Sequence, residues 1–271
     1  MKIPTWRSFP HSLAVVMTGL AVLSVTPQVN AEVTPHQAVY KLSLSSKSPA
    51  SRFTGVTGAA VSQIERKCEG WVVNEQIVMR METVAGGVLN REMTFKAKES
   101  LDGKTFSFDS RSVTNGHVEE FKGSARSRDD GSSEAEFVVP QPKEMPLPNG
   151  VFFYVGLTNW LVELAKSGNR AGEAMNFDGS DDGGPQKVTA FILPAKADGE
   201  GQNGDSELLS AKPWRARLAF FKLDTQESKP EFEIALRFLE NGVVTRFEMI
   251  FDDLIVDQVL EDVLPASDIS C

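Results

Sequence analysis

Histidine and cysteine, which carry much of enzyme and metal chemistry, are scarce in this sequence. The 271 residues include three histidines and two cysteines. His36 and His117 lie outside the N-terminal region, and neither belongs to an H-x-x-x-H or H-E-x-x-H pattern. Nucleophile-elbow, P-loop and dinucleotide-binding signatures are also missing. We therefore expect no catalytic residue, no metal site and no cofactor, and a hydrolase whose triad is assembled only in the fold is the weaker alternative.

Long hydrophobic runs are missing too. The longest, LAVVMTGLAVLSV at residues 13–25, is shorter than the roughly 20 residues that a membrane-spanning helix needs. It follows Lys2 and Arg7 and precedes the small-residue sequence V-N-A, as in a signal peptide. The sequence predicts a cleaved signal peptide over residues 1–31, export from the cytoplasm, and a single domain over 32–271.

Basic residues are outnumbered by acidic ones, 28 to 37, and the formal net charge is −9. Phosphate backbones are bound by clustered Lys and Arg side chains, so an acidic chain is a poor nucleic-acid ligand. Charge alone will not draw such a chain to anionic lipid either. We expect no nucleic-acid partner and a soluble monomer.

The two cysteines, Cys68 and Cys271, allow one pairing within the chain. An oxidising compartment outside the cytoplasm favours a bridge between them. A C-x-x-C redox motif is missing. Two free thiols, an intermolecular bridge and a catalytic thiol are the alternatives that the sequence leaves open.

Alternation of apolar and polar residues with a period of two dominates the chain and predicts half-buried strands. Asp-Gly and Asn-Gly pairs between the strands are typical of tight hairpin turns. One segment differs, since Val151–Lys166 carries its apolar residues at helical spacing. These patterns predict a mainly β fold with an antiparallel sheet wrapped around one central helix.

Methionine and aromatic residues on the predicted strands and helix are candidates to line an apolar cavity between sheet and helix. The alternative is that they belong to an ordinary packed core. The candidate lining residues are Met79, Met81, Met93, Phe95, Phe152, Phe153 and Trp160.

The acidic stretch FDGSDDGG comes nearest to a metal-binding pattern. In an EF-hand alignment Asp178, Ser180 and Asp182 take positions one, three and five, and Gly183 takes position six. Position twelve is Thr189, where a bidentate Glu is needed, and the surrounding KVTAFIL has strand character. We therefore predict a turn that precedes a strand.

Several short motifs, taken in their order along the chain, resemble the EipB family of cell-envelope integrity proteins, which are exported to the periplasm of Gram-negative alphaproteobacteria. The motifs are an H-x-x-x-Y first strand, C-x-G-W, F-D-G-S after the helix, an E-N-G-V turn and a C-terminal cysteine. The residues that carry them, besides the cysteines, are His36, Tyr40, Gly70, Trp71, Phe177, Asp178, Gly179, Asn241 and Gly242.

The resemblance implies an unclosed, barrel-like antiparallel β-spiral around a helix, closed by a disulfide between Cys68 and Cys271. It also implies a periplasmic, non-enzymatic protein that maintains the cell envelope. We expect it to act by binding a lipidic ligand or another envelope protein. A carrier that moves lipid or lipoprotein acyl chains in an apolar cavity is the alternative.

Overall fold

The computed structural model describes residues 32–196, 206–223, 229–269 and 271, so the predicted signal peptide lies outside the described residues. In these ranges the chain forms fourteen strands, one α-helix and one short 3-10 helix. The elements are β1 (His36–Lys47), β2 (Phe53–Lys67), β3 (Gly70–Thr83), β4 (Val88–Ser100), β5 (Thr105–Thr114), β6 (His117–Ser127), β7 (Ser133–Val139), β8 (Lys143–Leu147), α1 (Tyr154–Lys166), β9 (Ala171–Asn176), β10 (Gln186–Pro194), the 3-10 helix (Glu207–Ser210), β11 (Pro213–Lys222), β12 (Phe232–Leu239), β13 (Val244–Ile250) and β14 (Leu254–Pro265). Within the described ranges, no helix is both long and apolar enough to span a membrane.

All fourteen strands belong to one antiparallel sheet. Its order is β8-β7-β6-β5-β4-β3-β2-β1-β14-β13-β12-β11-β10-β9. Strands that follow one another in the chain are neighbours, except β8 and β9. The first and last strands pair at the centre, where His36 lies opposite Pro265. The chain passes from one edge strand, β8, to the other, β9, through α1.

Short turns between the strands explain why neighbours in sequence pair. The loop between β5 and β6 consists of Asn115 and Gly116, whose φ angles are 49° and 86°. Positive φ at both central residues is the geometry of the two-residue turn whose twist matches that of the flanking strands. The predicted hairpin at Asn-Gly is present there.

The helix packs its apolar side against the second half of the sheet. Leu161, Val162 and Ala165 are buried in one core cluster with residues of β10, β11 and β12. The helix begins at Tyr154, three residues after the predicted start, because Phe152 forms a parallel bridge with Asn176 and Phe153 is extended.

The two edge strands do not pair with each other in the described part of the chain, so the sheet is unclosed. The segment after β9 lies across the gap. Ser110 Oγ of β5 donates to the Ser180 carbonyl at 3.2 Å, and Lys143 Nζ of β8 lies 3.4 Å from the Asp182 carbonyl. The predicted antiparallel, unclosed sheet around one helix is confirmed.

A disulfide joins Cys68, in the turn between β2 and β3, to Cys271. Their Cα atoms are 5.1 Å apart, which suits a bridge. The preceding residues also pair with the end of β2. The Arg66 N–H donates to the Ser267 carbonyl at 3.0 Å, and the Ile269 N–H donates to the Arg66 carbonyl at 3.1 Å. The intramolecular bridge is thus present, and it fastens the last residues of the chain beside β2.

Candidate ligand-binding cavity

A cavity of about 340 Å³ lies between α1 and the inner face of the sheet. Ligand pockets in proteins begin at roughly this volume and are mostly apolar with a few placed polar groups. This cavity has that composition, because side chains of α1 and of β11 to β13 form an apolar wall. Examples from that wall are Leu157, Leu161, Phe220, Ile234, Leu236 and Phe247.

A carboxylate faces the cavity from the middle of β3. Glu75 lies between Ser62 of β2 and Phe95 of β4 in the sheet register. The Tyr154 hydroxyl, from the first turn of α1, donates a hydrogen bond to Glu75 Oε1. Ser62 Oγ donates to the same oxygen at 3.2 Å. Glu75 therefore ties the helix to the inner face of the sheet.

Burial controls the acidity of the groups around Glu75. It raises the pKa of the Glu75 carboxyl, although the hydrogen bonds from Tyr154 and Ser62 act in the opposite direction. The negative charge of Asp178 raises that pKa further. Burial also raises the pKa of Tyr154 and of Tyr40, and the charge of Glu75 adds to both shifts. Both tyrosines are therefore neutral hydrogen-bond donors at any physiological pH.

His36 and Asn176 are two further polar residues of the cavity lining. The His36 Nδ1 donates to the Thr34 carbonyl at 2.7 Å, and burial lowers the pKa of the imidazole, so the ring is neutral. Asn176 is only 4% exposed, and its Oδ1 has no hydrogen-bond partner among the described residues. Because a main-chain carbonyl holds the His36 ring, this site does not support the hydrolase alternative.

A second buried carboxylate holds the start of α1. Glu99 of β4 accepts the N–H of Val155 at 2.7 Å and the N–H of Gly156 at 2.9 Å. The residue before the helix, Phe153, offers no side-chain cap, so Glu99 replaces one. Burial raises the pKa of Glu99 to about 7, against the effect of the two N–H groups. This end of the helix is thus fixed by a distant strand.

Comparison with known proteins assigns the chain to a family. The sequence model of the EipB-like family matches residues 27–266. This chain belongs to the EipB-like family. Cell envelope integrity protein EipB of Brucella abortus (strain 2308) is 25% identical to it over 227 residues, which cover 81% of this chain and 79% of that protein.

The fold of an EipB-like chain is also found among solved structures. The crystal structure of a beta-barrel-like protein of a domain of unknown function from Brucella abortus matches with a TM-score of 0.79 and 22% identity. The match covers 86% of this chain and 98% of that one. The predicted family and the predicted barrel-like fold are both confirmed.

The EipB-like motif F-D-G-S anchors the segment that crosses the gap in the sheet. Phe177 is 2% exposed and packs edge-on against Phe108 and Phe137. Asp178 Oδ1 accepts the Ser180 N–H at 2.9 Å, and β10 follows at Gln186 as the predicted strand after a turn. The motif thus has a structural role beside the cavity that Asp178 lines.

Three other EipB-like motifs contribute to core packing and to the cavity lining. In E-N-G-V, Asn241 Nδ2 donates to the Leu208 carbonyl at 2.7 Å, and Gly242 lies against Val33 and lines the cavity. In C-x-G-W, Gly70 and Trp71 follow Cys68, and Trp71 is buried in one core cluster with Phe106 and Phe153. Of the H-x-x-x-Y pair, His36 lines the cavity and so does Tyr40, whose hydroxyl donates to the Val244 carbonyl at 3.0 Å.

The predicted methionines lie elsewhere than in this cavity. Ile77 of β3 lines it, whereas Met79 and Met81, two and four residues farther along the same face, pack in the core cluster around β1 and β14. Met93 is half-buried on β4, opposite Ile77. Met79 and Met81 therefore contribute to packing, and none of the three lines the cavity.

The predicted aromatic residues do not belong to the lining of this cavity either. Phe153 is buried and stacks on Phe106 at 4.9 Å between ring centroids. Phe95 stacks on Tyr154 at 5.7 Å, and the rings of Phe152 and Trp160 are 6.3 Å apart. The cavity is consequently lined by other residues than the seven predicted from the sequence.

Of the polar residues of the cavity, sequence reasoning named His36, Tyr40 and Asp178 as motif residues but missed Glu75 and Tyr154. One signal was present, because Glu75 breaks the apolar face of the β3 pattern between Val73 and Ile77. A charged residue at an inward-facing position costs free energy unless it has partners. Such an interruption indicates either a buried network or a cavity, and here both are present.

A larger groove of about 730 Å³ lies beside the disulfide. Charged side chains from several strands line it, including Lys67, Lys98, Arg126, Glu134 and Glu136. Apolar residues such as Trp71 and Phe106 line it too, but the apolar share of its surface is smaller than in the cavity at Glu75. The apolar cavity at Glu75 is therefore the better candidate site.

Proposed function

We propose that this EipB-like protein is exported to the periplasm and helps to maintain the cell envelope by binding a lipidic ligand, without catalysing a reaction. The relative from Brucella abortus is named a cell envelope integrity protein, which supports the envelope role. The N-terminal sequence, with its basic start and short apolar run, supports export.

The apolar cavity between α1 and the sheet carries this proposal. Burying a methylene group of a ligand contributes roughly 0.8 kcal/mol, so a cavity walled by Leu, Ile and Phe side chains favours an alkyl or acyl chain. A carrier that loads and releases such a chain uses the same cavity. A protein that retains its ligand differs from a carrier only in the rate of release.

Two neighbouring residues of β3 allow a matched test. Ile77 lines the cavity, whereas Val78 is 51% exposed on the outer face of the sheet. Ile77→Trp fills the cavity, and Val78→Trp adds the same bulk outside it. We expect native mass spectrometry of protein purified from its own envelope to detect a bound lipid in the wild type and in Val78→Trp but not in Ile77→Trp.

The same pair tests the cellular role. In a strain that lacks the protein, wild type and Val78→Trp should restore resistance to detergent, and Ile77→Trp should not. Wild-type protein that is free of lipid in the purified material would overturn the lipid proposal. Full complementation by Ile77→Trp would separate the envelope role from the cavity and favour an envelope-protein partner instead.

A further inference from the structure

The charged side chains that line the apolar cavity are all acidic. Among its described lining residues, Glu75 and Asp178 are acids, and none is Lys or Arg. The imidazole of His36 is neutral, so it supplies no positive charge. The two carboxylates are close enough for the charge of Asp178 to affect the ionisation of Glu75. A ligand that enters this cavity therefore meets two acidic groups and no cation.

The hydroxyl groups of the cavity already donate to protein atoms. Tyr40 donates to the Val244 carbonyl, and Thr158 donates to the Tyr154 carbonyl. Tyr154 and Ser62 both donate to Glu75 Oε1. A hydroxyl has one proton to donate, so these four offer a ligand only acceptor lone pairs.

Acceptor atoms, by contrast, are left over. Both hydrogen bonds to Glu75 go to Oε1, and Oε2 has no partner among the described residues. Asn176 Oδ1 is buried without a partner, and His36 Nε2 is an acceptor because Nδ1 carries the proton. The remaining donors of the lining are the amide groups of Asn176 and Gln258.

We propose that the ligand of this cavity is an amphiphile with a protonated amine head, bound with the amine at Glu75 and the alkyl chain along the wall of α1 and β11–β13. This inference rests on the proposed lipid-binding function and specifies its ligand class. An ammonium group has three donors and no acceptor, which complements the free acceptor atoms. A carboxylate or phosphate head would instead add negative charge beside two carboxylates, at low dielectric and without a cation.

Three ten-carbon probes test the proposal by isothermal titration calorimetry at pH 7.5 and below their aggregation concentrations. Decylamine is protonated at this pH, decanoate is ionised, and decanol is neutral. We expect the wild type to bind decylamine at least tenfold more tightly than decanoate, with decanol between them. Decanoate binding as tight as decylamine would overturn the amine proposal but not lipid binding. A protein that binds none of the three overturns both.

Variants on β3 locate the head group. Glu75→Gln keeps the shape and removes the charge, so decylamine affinity should fall about tenfold while decanol affinity changes less than twofold. Glu82→Gln, on the exposed end of the same strand, should change neither. An unchanged preference in Glu75→Gln would overturn the assignment. If Glu75→Gln does not fold, Asp178→Asn replaces it, and it should weaken decylamine binding more than decanol binding.

Discussion

Glu99 makes the stability of the protein depend on pH in an unusual direction. Its pKa is about 7 in the folded protein, against an ordinary value of 4.5. Between these values the folded state binds more protons than the unfolded state, so the free energy of unfolding falls as pH rises from about 4.5 to about 7. The pKa shift of Glu99 corresponds to a change of about 3 kcal/mol in the free energy of unfolding across this pH range.

Urea unfolding of wild type and Glu99→Gln at several pH values measures this contribution. We expect the wild type to lose stability relative to Glu99→Gln as pH rises through this window, because Gln does not titrate. Glu136, which is exposed on β7, gives a control variant, Glu136→Gln, in which no buried carboxyl is removed. Parallel pH profiles for wild type and Glu99→Gln would contradict the expectation.

Gly179 is constrained both by its backbone and by a neighbour. Its φ angle is +67°, and an added Cβ would lie 2.4 Å from the ring of Phe108. Gly116 also has a positive φ, 86°, but nothing lies within 4 Å of the added Cβ. Gly116→Ala should cost about 1 kcal/mol of unfolding free energy, and Gly179→Ala about 2–4 kcal/mol, because the clash adds to the strain. Equal losses in chemical denaturation would show that the contact with Phe108 is relaxed.

Single residues of the cavity were the part that sequence patterns predicted least well. The β3 pattern places Glu75, Ile77, Met79 and Met81 on one face, and the structure agrees. The pattern does not tell which of these residues face a cavity and which face packed side chains. That depends on where α1 lies along the strand, which is a long-range property.

At the scale of elements, α1 was predictable and its exact start was not. The helical spacing of Leu157, Leu161 and Leu164 is a local signal. The start at Tyr154 depends on the bridge from Phe152 to Asn176 and on Glu99. Asn176 lies at the end of β9 and Glu99 on β4, so both are far from Tyr154 in the sequence. Local patterns thus predict that an element exists better than they predict its ends.

The segment after β9 depends on one aromatic anchor. Phe177→Ala should lower the free energy of unfolding by about 3–5 kcal/mol, because the ring is fully buried between Phe108 and Phe137. Phe191→Ala, on the neighbouring strand β10, removes the same side chain where it is 64% exposed and should cost less than about 0.5 kcal/mol. Thermal and urea unfolding of the two variants make the comparison, and a similar loss in both would argue against the anchor.

At the scale of the whole molecule, the disulfide closes a loop of 203 residues. Loop-closure entropy for so long a loop gives at most about 5 kcal/mol, and measured values are usually smaller. The double variant Cys68→Ser, Cys271→Ser should lose about 2–5 kcal/mol of unfolding free energy. Reduced wild type should behave like the double variant, and wild type that is equally stable with and without reductant would contradict this role.

The order of strands in the sheet was only partly predictable. Asn-Gly and Asp-Gly turns indicate hairpins and therefore neighbours, as at Asn115–Gly116. Nothing in the local pattern of β1 or β14 indicates that they pair. Strands β1–β8 and β9–β14 each form a meander, and β1 and β14 are the end strands through which the two meanders join. The cysteine pair and the family resemblance were the signals that connected the two ends of the chain.

The pairing of β1 with β14 also determines when, during synthesis of the chain, the sheet can be completed. Each strand from β2 to β8 meets its neighbour soon after it is synthesised, but the second edge of β1 stays bare until Leu254–Pro265 has been made. Contacts between residues so distant in sequence form slowly, and a bare strand edge is a site for wrong pairing. A nascent chain therefore presents an unpaired strand edge throughout its synthesis, and resistance to proteolysis should appear abruptly with the last strand.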